Sequence, residues 1–459
     1  WDHPNLPWND TEVWVADIDL AHGSATISNE RLVAGGPGES VMQPAWSPDG
    51  SLHVISDRSD WWNVYRVESD GSLTSIHPLE TEIGLPAWVF GRPAYGIDPD
   101  GAVVMAYSEG GSAILTRVTA DGEPHTCTLR RSSISGIHVD GSAVVGIAAS
   151  ADRELEVVSV DLDQRCVESV VAAARDTGID PTFFSRPEKI SFPSKGGRIA
   201  HGYFYPPTSR DHHGPAGELP PLIVMSHGGP TSAARSAFNL ATQFWTSRGF
   251  AVVDVDYGGS TSYGRGYREL LNGQWGVVDV EDCCAAAEFL VAEGRVDGDR
   301  LAIRGGSAGG YTTLAALAFT DTFKAGANHF GVSDIGALME HTHKFESRYD
   351  DFLIGPMPES RHLLEERSPI HHVDRFDCPL ITFQGLEDMV VPPAQSEAIV
   401  DALDQRGIPH AYLAFEGEQH GFRRAETIIT VLESELSFYG QVFGFEPHGI
   451  DEPVPVKHL

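Results

Sequence analysis

Hydrophobic and polar positions follow two different rhythms along the chain. Up to about residue 170 the rhythm is period two. Glu12-Val13-Trp14-Val15-Ala16-Asp17-Ile18 alternates, and so does Ser51-Leu52-His53-Val54-Ile55-Ser56-Asp57, the pattern of strands with one buried face. Turn sequences punctuate these strands: Ser47-Pro48-Asp49-Gly50, Asp98-Pro99-Asp100-Gly101 and Val139-Asp140-Gly141. The glycines of these turns lie 51 and 40 residues apart. A repeat of roughly 40–50 residues with about four strands per unit predicts a β-propeller, with a β-sandwich as the alternative. Three units and part of another fit in this stretch. A propeller closes its ring with roughly four to eight blades, so the native protein is expected to continue upstream of Trp1.

The rhythm changes near Pro187. Short apolar strands are predicted at Leu222–Ser226, Ala251–Val255, Arg300–Arg304, Leu380–Phe383 and Ala411–Phe415. Helical periodicity covers 277–291, 311–319, 393–405 (with Gly407 just past its end) and 425–439. Alternating apolar strands and helices imply a doubly wound, mostly parallel sheet covered on both faces. The chain therefore divides into a partial all-β propeller domain at 1–175 and an α/β domain at 185–459, with the linker near 172–184.

Composition narrows the partners. The 32 basic and 65 acidic side chains give a net charge of −33, which argues against nucleic acid or an anionic membrane. No stretch approaches 18 apolar residues, so no transmembrane helix is expected, and the expected location is cytoplasmic. Homo-oligomerisation is left open. The five cysteines are odd in number, irregularly spaced and without a C-x-x-C pair. A disulfide framework or zinc ribbon is therefore not expected.

The sharpest chemical signal is Gly305-Gly306-Ser307-Ala308-Gly309, a G-x-S-x-G match between a predicted strand and a predicted helix. Such a turn exposes a serine nucleophile. A serine hydroxyl needs a base and a group to orient that base. In this fold class the chain order is Ser, then Asp or Glu, then His. Asp388 follows the strand Leu380–Phe383, with Glu387 as its rival. His420 follows the strand Ala411–Phe415. Both sit at the carboxyl edge, where open α/β sheets hold their sites. His410 begins a strand at the opposite edge and reads as structural. Ser226-His227-Gly228-Gly229-Pro230 fits an oxyanion loop, with His227 shaping it and the N–H of Ala308 as the second donor. No H-E-x-x-H, Walker or dinucleotide motif is present, so neither metal nor cofactor is expected.

These segments resemble the prolyl oligopeptidase family of serine peptidases, nearest to its acylaminoacyl-peptidase and dipeptidyl-peptidase branch. The likeness rests on Trp46-Ser47-Pro48-Asp49-Gly50, Ser226-His227-Gly228-Gly229-Pro230, Gly306-Ser307-Ala308-Gly309-Gly310-Tyr311, Gln384-Gly385-Leu386-Glu387-Asp388 and Glu418-Gln419-His420-Gly421-Phe422. It implies an α/β-hydrolase domain capped by a propeller that admits only short peptides. Ser307, Asp388 and His420 are implied as nucleophile, acid and base, and Gly229 and Ala308 as oxyanion donors. Other members carry Tyr where His227 stands. The resemblance also implies a substrate pocket walled by Val332, Ile335 and Val390. The expected function is hydrolysis of short peptides or aminoacyl amides through an acyl-enzyme, as an aminopeptidase or acylaminoacyl-peptidase. The alternatives are an esterase or an inactive propeller scaffold.

Overall fold

A computed structural model of the chain describes residues 1–21, 24–163, 166–450 and 452–459. They form two compact units. The first holds Trp1–Gly178 with Ser236–Phe238 and Thr261–Arg268, and the second holds Ile179–Arg235, Asn239–Ser260 and Glu269–Leu459.

The first unit is built of propeller blades. Three four-stranded antiparallel sheets run from Val41 to Ser75, Tyr95 to Thr128 and Ser133 to Ala172, each with its strands in chain order. The strands Glu12–Ala21 and Ser24–Gly35 make a further antiparallel pair. Gly50, Gly101 and Gly141 each close the turn between the first and second strand of a sheet, at φ 84°, 85° and 57°. Glycine adopts this left-handed backbone without strain. The repeat in the sequence is thus the repeat of one hairpin turn. One expectation fails here: Cys127 and Cys166 form a disulfide, with Cα atoms 5.6 Å apart. Cys127 lies on the last strand of the second sheet, and Cys166 just precedes the last strand of the third. The sheets bring together two residues that are 39 apart in sequence, which no local spacing rule can register.

The second unit is an α/β hydrolase. Its eight strands are β1 (Glu188–Pro193), β2 (Ile199–Tyr205), β3 (Leu222–Ser226), β4 (Ala251–Asp256), β5 (Leu301–Gly306), β6 (Ala325–His329), β7 (Leu380–Gly385) and β8 (His410–Phe415). They lie in the order β1-β2-β4-β3-β5-β6-β7-β8. The pairs β1/β2 and β2/β4 are antiparallel and the rest are parallel. The helices that matter below are α1 (Val278–Ala292), α2 (Ala308–Phe319), α3 (Ile335–His341), α4 (Pro393–Arg406) and α5 (Ala425–Phe443). β7 is buried at every position, as a strand covered on both faces must be. Ile223, Val252, Ile381 and Phe383 pack with Trp245, Leu436, Phe438 and Tyr439 on one face. Period two turns Leu222 and Val224 to the other face, where α1 and α2 pack against each other and against β3.

A polar network fastens α5 to this sheet. Glu435 is fully buried, and its carboxylate lies 2.9 Å from Arg304 Nε of β5 and 3.1 Å from His329 Nε2 of β6. It also accepts from the Tyr439 hydroxyl at 3.0 Å. Burial opposes the charge, but Arg304, His329 and Tyr439 together hold the Glu435 carboxyl below its ordinary range. Removing one partner from such a group leaves a buried charge uncompensated. Glu435→Ala should therefore destabilise the second unit by about 3–5 kcal/mol, read as an earlier midpoint in urea unfolding. A midpoint within error of the parent's would show that the network is not needed.

Candidate active site

Ser307 joins β5 to α2 with φ 58° and ψ −122°, a backbone region costly for a residue with a Cβ. Two backbone hydrogen bonds fix it. Its N–H donates to the His329 carbonyl and its carbonyl accepts from the Tyr311 N–H, both at 3.0 Å. The glycines around it serve close packing. A Cβ on Gly309 would strike the Ser226 carbonyl, and one on Gly310 would stand 2.7 Å from Asn328 Oδ1. Ala308 opens α2, so its N–H is one of those with no acceptor inside the helix.

The loop after β3 runs beside this turn. A Cβ on Gly228 would lie 3.1 Å from the Gly306 carbonyl and 3.5 Å from Ser307 Cβ. His227 faces its own loop. Its Nδ1 meets the Gly228 carbonyl at 2.9 Å, its Nε2 meets Ser260 Oγ at 2.8 Å, and its ring stacks on Tyr257 at 4.3 Å. Burial pushes its pKa down to about 4, so it is neutral at pH 7 with both nitrogens engaged. It cannot serve Ser307 as a base from this position.

Asp388 is 2 % exposed. Its Oδ1 accepts the N–H groups of Val390 (2.8 Å) and Val391 (2.9 Å), and its Oδ2 accepts Nδ1–H of His420 at 2.7 Å. That bond leaves Nε2 as the free nitrogen of a neutral His420. Glu387, next in the chain, is exposed. The loop carrying His420 is held by Glu418, whose carboxylate accepts the N–H groups of Arg423 and Arg424 at 3.0 Å each. The Phe330 ring lies where a Gly306 side chain would be and meets the His420 ring edge-on at 4.9 Å.

Ser307 opens on a small cavity. Gly229, Ala308, Val332 and Val390 line it. Ile335 does not. It is fully buried at the start of α3, where its N–H donates to Ser368 Oγ at 2.9 Å, and it belongs to the core. Trp275, Tyr349, Glu346 and Asp350 complete this wall from segments that carry neither a motif nor a clear period, so no pattern in the chain marks them. Tyr349 ties the wall to the loop after β3, its hydroxyl accepting the Thr231 N–H at 3.1 Å. Asp350 has its pKa pushed up to about 7, chiefly by burial and further by Glu346 and Asp351. Away from the cavity, Asp404, His410 and His458 bring their donor atoms within 4.8 Å of one another. Lys457 Nζ already neutralises Asp404 there, at 3.0 Å.

The sequence profile of the prolyl oligopeptidase family matches residues 236–446. The crystal structure of a puromycin hydrolase superposes with a TM-score of 0.93 at 42% identity, over 99% of this chain and 68% of that one. The chain belongs to the prolyl oligopeptidase family. Within this family, a puromycin-hydrolyzing peptidase of Mycobacterium tuberculosis is 44% identical with a TM-score of 0.95, over 100% of this chain and 69% of that one. Dipeptidyl aminopeptidase BIII of Pseudoxanthomonas mexicana is 32% identical over 272 residues, which is 57% of this chain and 40% of that enzyme. The match thus spans less than half the length of that curated relative.

Asp350 predicts a pH dependence of stability. With its pKa raised from 3.8 to about 7, the folded state keeps a proton that the unfolded state has released. Its contribution therefore falls as pH rises through that window. Asp350→Asn should raise Tm over the parent by more at pH 8 than at pH 4.5. Equal differences at the two pH values would show that Asp350 titrates normally.

Proposed function

We propose that the chain is the catalytic part of a serine peptidase that cleaves short peptides or aminoacyl amides through an acyl-enzyme, acting as an aminopeptidase or acylaminoacyl-peptidase. The observation that carries this is the 2.7 Å hydrogen bond between buried Asp388 and His420 in the same unit as a strained Ser307 that opens on a cavity. The relatives named for puromycin hydrolysis, at 42% and 44% identity, favour aminoacyl amides. In the proposed reaction Ser307 Oγ attacks the scissile carbonyl carbon while His420 Nε2 takes the hydroxyl proton. The N–H groups of Gly229 and Ala308 hold the developing oxyanion. Collapse expels the amine, which takes its proton from His420, and water repeats the sequence on the acyl-enzyme. Asp388 keeps Nδ1 protonated and stabilises the imidazolium.

Among the described residues no helix is long and apolar enough to cross a membrane. A cytoplasmic location is a further part of the proposal. Ser307→Ala should lose about 10⁴ or more in turnover while staying folded, and should no longer react with a fluorophosphonate. Near-normal turnover in the folded variant would sink the assignment. Asp388→Asn should cost about 10⁴ in kcat by favouring the wrong tautomer, and Glu387→Gln should cost little. The reverse order would move the acid to Glu387.

A further inference from the structure

The cavity at Ser307 has mostly apolar walls, from Val332, Leu338, Leu353, Val390 and Val391, yet two carboxyl side chains face it, Glu346 and Asp350. Asp350 is 6 % exposed, and among the described residues its carboxylate has neither a hydrogen-bond donor nor a cation. The arginines nearest in sequence are committed elsewhere. Arg348 Nε donates to Asp351 at 2.7 Å, and Arg367 donates to the carbonyls of Gly273 and Trp275. Glu346 is 3.0 Å from His343 Nε2 and lines the same cavity as Ser307. A buried carboxyl without a partner is costly, and a protein rarely keeps one without use for it. The missing partner must be small enough for the cavity, positively charged and rich in donors. A primary ammonium has three N–H donors on a compact charge.

We propose that this cavity is a subsite for a primary ammonium group of the substrate, with Asp350 as its main counter-charge and Glu346 as a second acceptor. The proposal rests on the reading of Ser307 as nucleophile; with an α-ammonium in the subsite, substrates bearing a free amine are preferred. Two sources share this chemistry, the α-ammonium of an N-terminal residue and the side-chain ammonium of lysine.

The test uses chromogenic amides with one leaving group: norleucine, N-acetyl-norleucine and N-acetyl-lysine. If the α-ammonium is bound, norleucine should exceed N-acetyl-norleucine in kcat/KM by about 10- to 100-fold, the range of a charged hydrogen bond. If the lysine side chain is bound, N-acetyl-lysine should exceed N-acetyl-norleucine by a similar factor. Asp350→Asn should abolish most of whichever contrast is found, through KM more than kcat. Neither contrast exceeding about 2-fold, or a contrast that survives Asp350→Asn, would overturn the subsite. Should that variant not fold, the unaltered protein still answers: n-butylammonium should raise its Tm at concentrations where n-butanol does not, and equal effects would overturn the proposal. Failure of the unaltered protein to react with an uncharged fluorophosphonate would count against Ser307 as nucleophile, and the butylammonium measurement would still judge the subsite.

Discussion

Ser307 holds a backbone conformation that a residue with a side chain does not adopt unaided, and the second unit is arranged to keep it there. Its N–H is spent on the His329 carbonyl of the neighbouring strand, so β5 and β6 must be in register up to that point. The first turn of α2 must approach the end of β3 closely, which only Gly309 permits. Arg304 and His329, on the same two strands, are locked by Glu435 from α5. The last helix, strands β5 and β6 and the turn between β5 and α2 are therefore one mechanical assembly.

The buried ionisable groups are sorted by whether the protein itself satisfies them. Asp388 receives two backbone N–H groups and the His420 ring, and Glu435 receives a cation and two further donors. His227 is satisfied as a neutral ring, with Ser260, Gly228 and Tyr257 around it. Asp350 differs from these three, being desolvated beside another carboxyl and without a donor among the described residues. In a chain of net charge −33, that position is unfavourable for folding.

Much of this was legible in the sequence because it follows from short-range rules. The strands from Leu222 to Phe415, the helices between them and the turn at Ser307 are set by apolar periodicity and glycine placement. Asp388 was separable from Glu387 only by chain order and sheet edge, whereas in the structure burial and the bond to His420 distinguish them. β6 carries no strand signal because Ala325-Gly326-Ala327-Asn328-His329 has little of the β-branched bulk that marks a strand. Its small residues fit a crowded interior position, where Gly326 leaves room for Leu317. Ile335 and Val332 look alike in sequence, and only the course of α3 turns one into the core and leaves the other at the cavity.

The bond between Cys127 and Cys166 gives the first unit a covalent loop of about forty residues. Closing a loop of that size removes enough chain entropy from the unfolded ensemble to favour the folded blades by about 4 kcal/mol. That contribution exists only while the sulfurs are joined, and reducing cytosols generally favour free thiols. The stability of these blades is therefore coupled to the redox poise of the surroundings. The same chain would be a sturdier molecule in an oxidising space than beside glutathione.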